Sequence, residues 1–341
     1  MDYDINAYSS DEEIIRRPKI IRYRQNYFEE YDGYDFFTRF RLTKRTVENV
    51  ILNEIEDIIS HPTNRNDCLS ASQQLLLTLN FFANGSFLRC AGDFGGVSTL
   101  TACTTVKRVS VALAGLRPRY IKMPSTDEEI FELRQNFYNI ARLPRCIAAI
   151  DSELFRNRKQ FFSFNVQTVS DPHLKIRNIV ARWPGSAHDS HIFRNSNLCA
   201  MFERGSYPGS FMVGDSGYGV KPYLITPLAN PRTPGEILFN EAQIRTRNVV
   251  ERQYGVWKRR FPSLAMGLRT SLDTTQAIIV AAAVLHNIAC DENEVIPPVS
   301  EDEEAAINFA NNVDIQHIPD HRHNITTSTR DGLINDYFNR L

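Results

Sequence analysis

Residues 146–183 read CIAAIDSELFRNRKQFFSFNVQTVSDPHLKIRNIVARW, and how they are parsed decides the fold. CIAAI is a short continuous apolar run, the pattern of a strand buried on both faces, and it meets a carboxylate at Asp151. FFSFNVQTV then alternates, with Phe162, Phe164 and Val166 on one face and Ser163, Asn165 and Gln167 on the other. SDP makes a turn, and LKIRNIVARW returns as the second strand of a hairpin. Downstream, HDSHIFRNSNLCAMF reads as a helix, FMVGD as another short strand, and PYLITPL stays extended. A long helix covers about residues 235–260, and TTQAIIVAAAVLHNIAC is a last, buried helix. Strands clustered first, followed by strand alternating with helix, predict an α/β fold with a mixed sheet flanked by helices.

Upstream the text is helical. FFTRFRLTKRTVENVILNEIEDII repeats apolar residues at helical spacing, and Ser70 or Ser72 can cap a helix running to Ala83. NGS breaks that helix, a short one follows over residues 87–94, and GGVS leads into a third that reaches about Leu116. Helix, short helix, glycine turn, helix is the layout of a helix-turn-helix, and a plain three-helix bundle with a polar outside produces the same text. In the first reading Thr101, Thr104, Thr105, Lys107 and Arg108 line the outer face of the third helix, where Lys107 and Arg108 contact nucleic-acid phosphates. STDEE caps a further helix over about residues 127–141.

The expected organisation is a flexible segment at 1–25, a helical, helix-turn-helix-like region at 26–124, a sheet domain at 125–290, and an acidic tail at 291–341. At 341 residues and 42% hydrophobic content the chain has enough material for a large core. Its longest apolar run, AIIVAAAVL at 277–285, is too short to span a bilayer, and the polar start MDYDINAYSSDEE lacks the pattern of a leader, so a soluble intracellular chain is expected. The six cysteines form no CxxC pair, which predicts free thiols. The net charge of −1 conceals local bias: residues 101–124 carry five basic residues and no acid, whereas DENEVIPPVSEDEE at 291–304 carries seven acids. Basic stretches on a neutral whole fit local contact with a polyanion, although solvated helix faces give the same bias.

Asp151 and Asp215 both stand where an apolar strand ends, Asp215 within the glycine-bearing loop of FMVGDSGYGVKPY at 211–223. A solvated turn aspartate is one reading of Asp215. The other is a pair of neighbouring acids, which repel unless a cation lies between them; magnesium takes such carboxylates together with phosphate and water. In RTRNVVERQYGVWKRRF at 245–261, Val250, Tyr254, Trp257 and Phe261 form a core-facing stripe and Glu251 lies beside it. Asp151, Asp215 and Glu251 are therefore candidate metal ligands and catalytic residues. Two divalent ions between them would clamp the attacking and leaving oxygens of a phosphoryl displacement. Arg247, Lys258, Arg259 and Arg260 are then candidates to hold a DNA backbone, with Arg156, Arg158 and Lys159 of FRNRK equally readable as a charged hairpin tip. His188, Asp189 and His191 in AHDSH offer a rival zinc-like composition without a convincing further ligand, and capping of the helix by Ser186 or Asp189 is the simpler reading.

GDSGYGVKPYLITPL, RTRNVVERQYGVWKRRFPSL and VARWPGSAHDSHIF resemble the Harbinger transposase-derived nucleases of the PIF/Harbinger DDE superfamily. The resemblance extends through FRLTKRTVENV, SASQQLLLTLNFFANGSF, RPRYIKMP and VLHNI to TRDGLINDYF. It implies a ribonuclease-H-like core and a DDE triad, which by matching motif to motif falls on Asp151, Asp215 and Glu251. It also implies magnesium or manganese as cofactor, DNA as substrate, a Myb/SANT-like DNA-binding partner, and a nuclear location, with the cytoplasm as a second compartment. Against the family pattern only SEL separates Asp151 from Phe155, which predicts a truncated first hairpin. The corresponding alternative function is a domesticated transposase that has lost its chemistry and serves as a DNA- or protein-binding adaptor.

Overall fold

A computed structural model describes residues 24–62, 68–85, 87–156, 163–298 and 328–341. All but residues 24 and 25 of the flexible segment expected at 1–25, and most of the acidic tail, thus lie outside the described residues, as do Arg158 and Lys159.

The helical region opens with α1 (Tyr27–Glu30) and α2 (Gly33–Phe40), then a π-helical stretch, Thr46–Leu52, that continues into α3 (Asn53–Ile59). Next come α4 (Ala71–Asn84), α5 (Leu88–Phe94), α6 (Thr99–Gly115), α7 (Arg117–Tyr120) and α8 (Asp127–Ala141). Ser70 caps α4 in a reciprocal box with Gln73, and Gly85 ends it in the left-handed region at φ 57°, a conformation that suits a residue without Cβ. Thr126 and Glu129 make the same box at α8. The helix-turn-helix-like spacing of α4 to α6 is therefore present. These helices do not form a core of their own, however: α6 packs along α13 (Leu272–Asp291), and Val106, Val109 and Leu113 join one apolar cluster with Ile278, Leu285 and residues of the sheet. Thr105, expected on the outer face of α6, is buried.

The sheet comprises β1 (Cys146–Arg156), β2 (Ser163–Ser170), β3 (Ile176–Pro184), β4 (Phe211–Val213) and β5 (Leu224–Ile225), in the order β3-β2-β1-β4-β5. β1 pairs antiparallel with β2, and β2 with β3, whereas β1–β4 and β4–β5 are parallel. Between β3 and β4 lie α9 (Asp189–Arg194) and α10 (Asn197–Glu203), two helices where the sequence suggested one; Ser196 starts the second by capping it. After β5 come α11 (Pro234–Arg260), α12 (Ser263–Met266), α13 and α14 (Ser328–Asp336). One apolar cluster joins the sheet to α11, α13 and the N-terminal helices; a second joins it to α8, α9 and α10. The chain is thus a mixed α/β fold with a helical N-terminal region. α13 is long and apolar enough to cross a membrane, yet most of it is buried in the core. Among the described residues no disulfide joins any of the six cysteines.

The first hairpin corrects the sequence reading. Its described part does not stop at Asp151: β1 runs for 11 residues through SEL, and its register with β2 is continuous from Ala149–Ser170 to Arg156–Ser163. An acid does not end this strand because α11 supplies it with basic partners. Asp151, Glu153 and Phe155 share the face turned to α11, where they meet Arg247, Lys258 and Trp257 respectively. Phe155 is buried, with its ring 5.4 Å from that of Trp257. Truncation by Phe155→Ala should destabilise the fold by about 3–5 kcal/mol, measured by urea unfolding. A loss below about 1 kcal/mol, the usual surface range, would mean that the strand stops before Phe155.

Candidate active site

Asp151 stands in the middle of the sheet, on β1 between β2 and β4. Its side chain is only 16% exposed. Oδ1 accepts from the Ser152 N–H at 2.8 Å, and Oδ2 accepts from Arg247 Nη1 at 2.9 Å. Asp215 follows β4 after Gly214. A Cβ at Gly214 would lie 3.0 Å from Tyr218 and 3.2 Å from Ile150 and Leu224, so any larger residue where the strand leaves the sheet would have to push these side chains aside. The Gly217 N–H donates to Asp215 Oδ1 at 3.0 Å, which folds the loop around its own carboxylate. The two acids singled out in the sequence are thus brought together at neighbouring strands.

The third member of the group was not foreseen in this role. Asp189, the first residue of α9, offers a carboxylate oxygen that lies with those of Asp151 and Asp215 within 4.8 Å of one another. Its Oδ1 accepts from Asn165 Nδ2 at 2.8 Å, and Asn165 Nδ2 also lies 2.9 Å from Ala187 O. Gln167 Nε2 reaches the Asp189 carbonyl at 3.3 Å and the Tyr218 hydroxyl at 3.0 Å. Asn165 and Gln167 are buried. The polar face of β2 is therefore not a solvent face but a rack that positions the start of α9. That alternating Asn and Gln on a strand between two others was the available signal for Asp189. The zinc-like grouping does not form: His191 packs edge-on against Trp183, with ring centroids 4.8 Å apart, while Asp189 turns to the acids. His188 rather than Ser186 or Asp189 takes the cap position of α9, without a side-chain cap bond.

Glu251 lies on α11 one turn after Arg247, half exposed, and outside the three-carboxylate group. Arg247 connects the two sets, with Nη2 2.7 Å from Glu251 Oε1 as well as Nη1 on Asp151. This arginine, expected on a DNA backbone, is turned into the acids. Tyr254, buried below, has its hydroxyl within 3.1 Å of Asp151 O and 2.8 Å of Val166 O, which anchors α11 to β1 and β2.

Among the other basic candidates, Lys107 and Arg108 are exposed on α6, with Arg108 Nη1 2.9 Å from His61 Nε2. Lys258 is held 2.7 Å from Glu153, and Arg259 is partly buried. Arg156 ends β1. Arg260 is corrected: it is buried and donates to the carbonyls of Arg41 at 3.0 Å and Val295 at 3.1 Å, so it pins α11 to the helical region instead of facing DNA.

The electrostatics of the acids are one-sided. Burial, then the charges of Asp215 and Glu251, outweigh Arg247 and the Ser152 N–H and push the Asp151 carboxyl up to about 7. Burial, followed by the charge of Asp189, raises Asp215 against Arg247 and the N–H groups of Gly217 and Tyr218. Among the described residues the one guanidinium paired with these four carboxylates does not balance them. Hard oxygen donors of this kind suit a hard divalent cation, not a soft metal.

A family model described as a DDE superfamily endonuclease matches residues 141–287, an interval that holds Asp151, Asp189, Asp215 and Glu251. The human protein named "Putative nuclease HARBI1" is 31% identical over 248 residues, covering 68% of this chain and 71% of the human one. The chain belongs to the Harbinger transposase-derived nucleases. The rat protein of the same name is 31% identical over 272 residues, covering 72% of this chain and 78% of its own length. An Arabidopsis thaliana protein named "Protein ALP1-like" is 24% identical over 302 residues, covering 79% and 73%. No solved structure gives a significant match. For this family member the acid cluster is the candidate active site.

The Asp151 shift has a thermodynamic consequence. Its unfolded carboxyl ionises near the ordinary value of 3.8, its folded one only near 7, so stability falls as pH rises through that window and stays low above it. The melting temperature of the metal-free protein should therefore drop between about pH 4 and about pH 8. Asp151→Asn should flatten the drop and be the more stable protein at the upper end, by on the order of a few kcal/mol. A variant less stable than wild type there would contradict the assignment.

Proposed function

We propose that this chain is a metal-dependent DNA endonuclease that hydrolyses phosphodiester bonds by a two-metal, DDE-type mechanism. The observation that carries the reading is the convergence of Asp151, Asp189 and Asp215 from three separate elements, with ligand oxygens within 4.8 Å and, among the described residues, only Arg247 ion-paired to the group. Asp151 and Asp215 would hold the ions, with Asp189 completing one side and Glu251 available on the other. When bound, such ions stabilise the attacking and leaving oxygens of an in-line displacement at phosphorus. The protein's part is placement: β1 and the Gly214 loop fix two carboxylates, Asn165 and Gln167 fix the third, and Tyr254 holds α11 against them. Lys107 and Arg108, with Arg156 at the hairpin end, are candidates for backbone contacts that add affinity without reading sequence. The adaptor alternative drew its support from a broken first hairpin, and β1 pairs without interruption. Work on DNA carries with it a nuclear location, and a Myb/SANT-like partner would supply target choice.

The test is nicking of supercoiled plasmid by the purified full chain in magnesium or manganese. Asp151→Asn and Asp215→Asn should abolish cleavage and Glu251→Gln should reduce it strongly, each in a folded protein. Undiminished cleavage by Asp215→Asn would sink the proposal. Asn165→Ala should lower cleavage and metal affinity by about 10–100-fold, the usual effect of removing a group that orients a ligand. A silent Asn165→Ala would remove Asp189 from the site.

A further inference from the structure

We propose that Arg247 is the resident counter-cation of the site: its guanidinium fills the gap between Asp151 and Glu251 and must leave before a second divalent ion can enter. The inference rests on the metal-nuclease reading above and adds an order of events to it.

Asp151 is the shared member of two groupings. With Asp189 and Asp215 it forms an all-carboxylate cluster. With Glu251 it forms a pair already spanned by a cation, Arg247 Nη1 at 2.9 Å from Asp151 and Nη2 at 2.7 Å from Glu251. One carboxylate flanked by two sets of acids is the pattern of a ligand common to two cation positions, and here one position is taken by the protein itself. An i,i+4 Arg–Glu pair on an open helix face contributes little. This one has a third, largely buried partner from the sheet, and Arg247 is itself only 19% exposed. A guanidinium cannot be neutralised by losing a proton at any working pH, so it yields its place only by moving.

Two consequences follow. In the absence of DNA the chain binds one divalent ion well, at the three aspartates, and a second poorly. When substrate arrives, the displaced guanidinium finds a better partner than Glu251, because its planar fork matches the non-bridging oxygens of a phosphate. Substrate and second ion would then assist each other, and the site would be held short of its full complement of metal until DNA is present.

Manganese binding by the full chain without DNA, followed by the electron paramagnetic resonance signal of free Mn²⁺, tests this. Wild type should bind one ion tightly and the second weakly. Arg247→Met should bind two, with the second tightened roughly tenfold or more, as expected from removing a unit charge within a few ångströms. Arg245→Met is the control: it removes the same charge two residues away, where Arg245 pairs with Glu241, and should leave the second affinity within about twofold of wild type, the screened effect of an exposed charge. If Arg247→Met does not fold by circular dichroism, Arg247→Lys carries the test. Its single ammonium cannot span both acids, so it should tighten the second site roughly threefold, less than the charge-free variant. Two equally tight ions in wild type, unchanged in the Arg247 variants, would overturn the inference and leave the metal site standing. Manganese binding no tighter than that of Asp215→Asn in every variant would remove the metal reading and the inference together.

Discussion

Three aspartate side chains with oxygens inside 4.8 Å of one another are a repulsive arrangement, and among the described residues one guanidinium, that of Arg247, pairs with it. That imbalance is the constraint from which the rest can be understood. Burial makes it worse, since it raises the cost of each charge, and the elevated proton affinity of Asp151 and Asp215 is the visible result. A fold does not retain such a site for stability. It keeps the acids together by surrounding them with groups that have no freedom to let them separate, and leaves the missing charge to come from outside.

The restraint comes from how β1 lies along α11. Asp151 meets Arg247, Glu153 meets Lys258 and Phe155 packs on Trp257, so ionic and apolar contacts alternate with the strand's two-residue repeat against the turns of one helix. Tyr254 adds a hydroxyl directed at the backbone of both β1 and β2. Buried Arg260 carries the same helix into the N-terminal region through the Arg41 carbonyl, and α13 packs on both α6 and β3. The helical region is thus part of the scaffold that fixes the site, not an attachment to it.

Much of this was legible in the residues. The alternation of FFSFNVQTV placed β2, the capping signals at Ser70 and in STDEE set helix starts, and the acids that follow short apolar runs were found to converge. Two failures share a physical origin. An isolated charge is a poor interior strand residue, so the local text ends the strand at Asp151, yet its partner Arg247 lies 96 residues away and no local pattern reveals it. Arg260 was placed on the surface for the same reason in reverse: two backbone carbonyls distant in sequence satisfy it inside the core. Asp189 was hidden by its neighbours, since two histidines beside it suggested a different metal, and only the sheet shows that Asn165 faces it.

The most direct measurement is a manganese-soaked crystal of the full chain, with anomalous diffraction collected at the manganese edge. The account predicts an anomalous peak bounded by Asp151, Asp189 and Asp215, with the Arg247 guanidinium still between Asp151 and Glu251 when DNA is absent. Manganese bound elsewhere, or three aspartates that stay free of metal at concentrations that support cleavage, would contradict it.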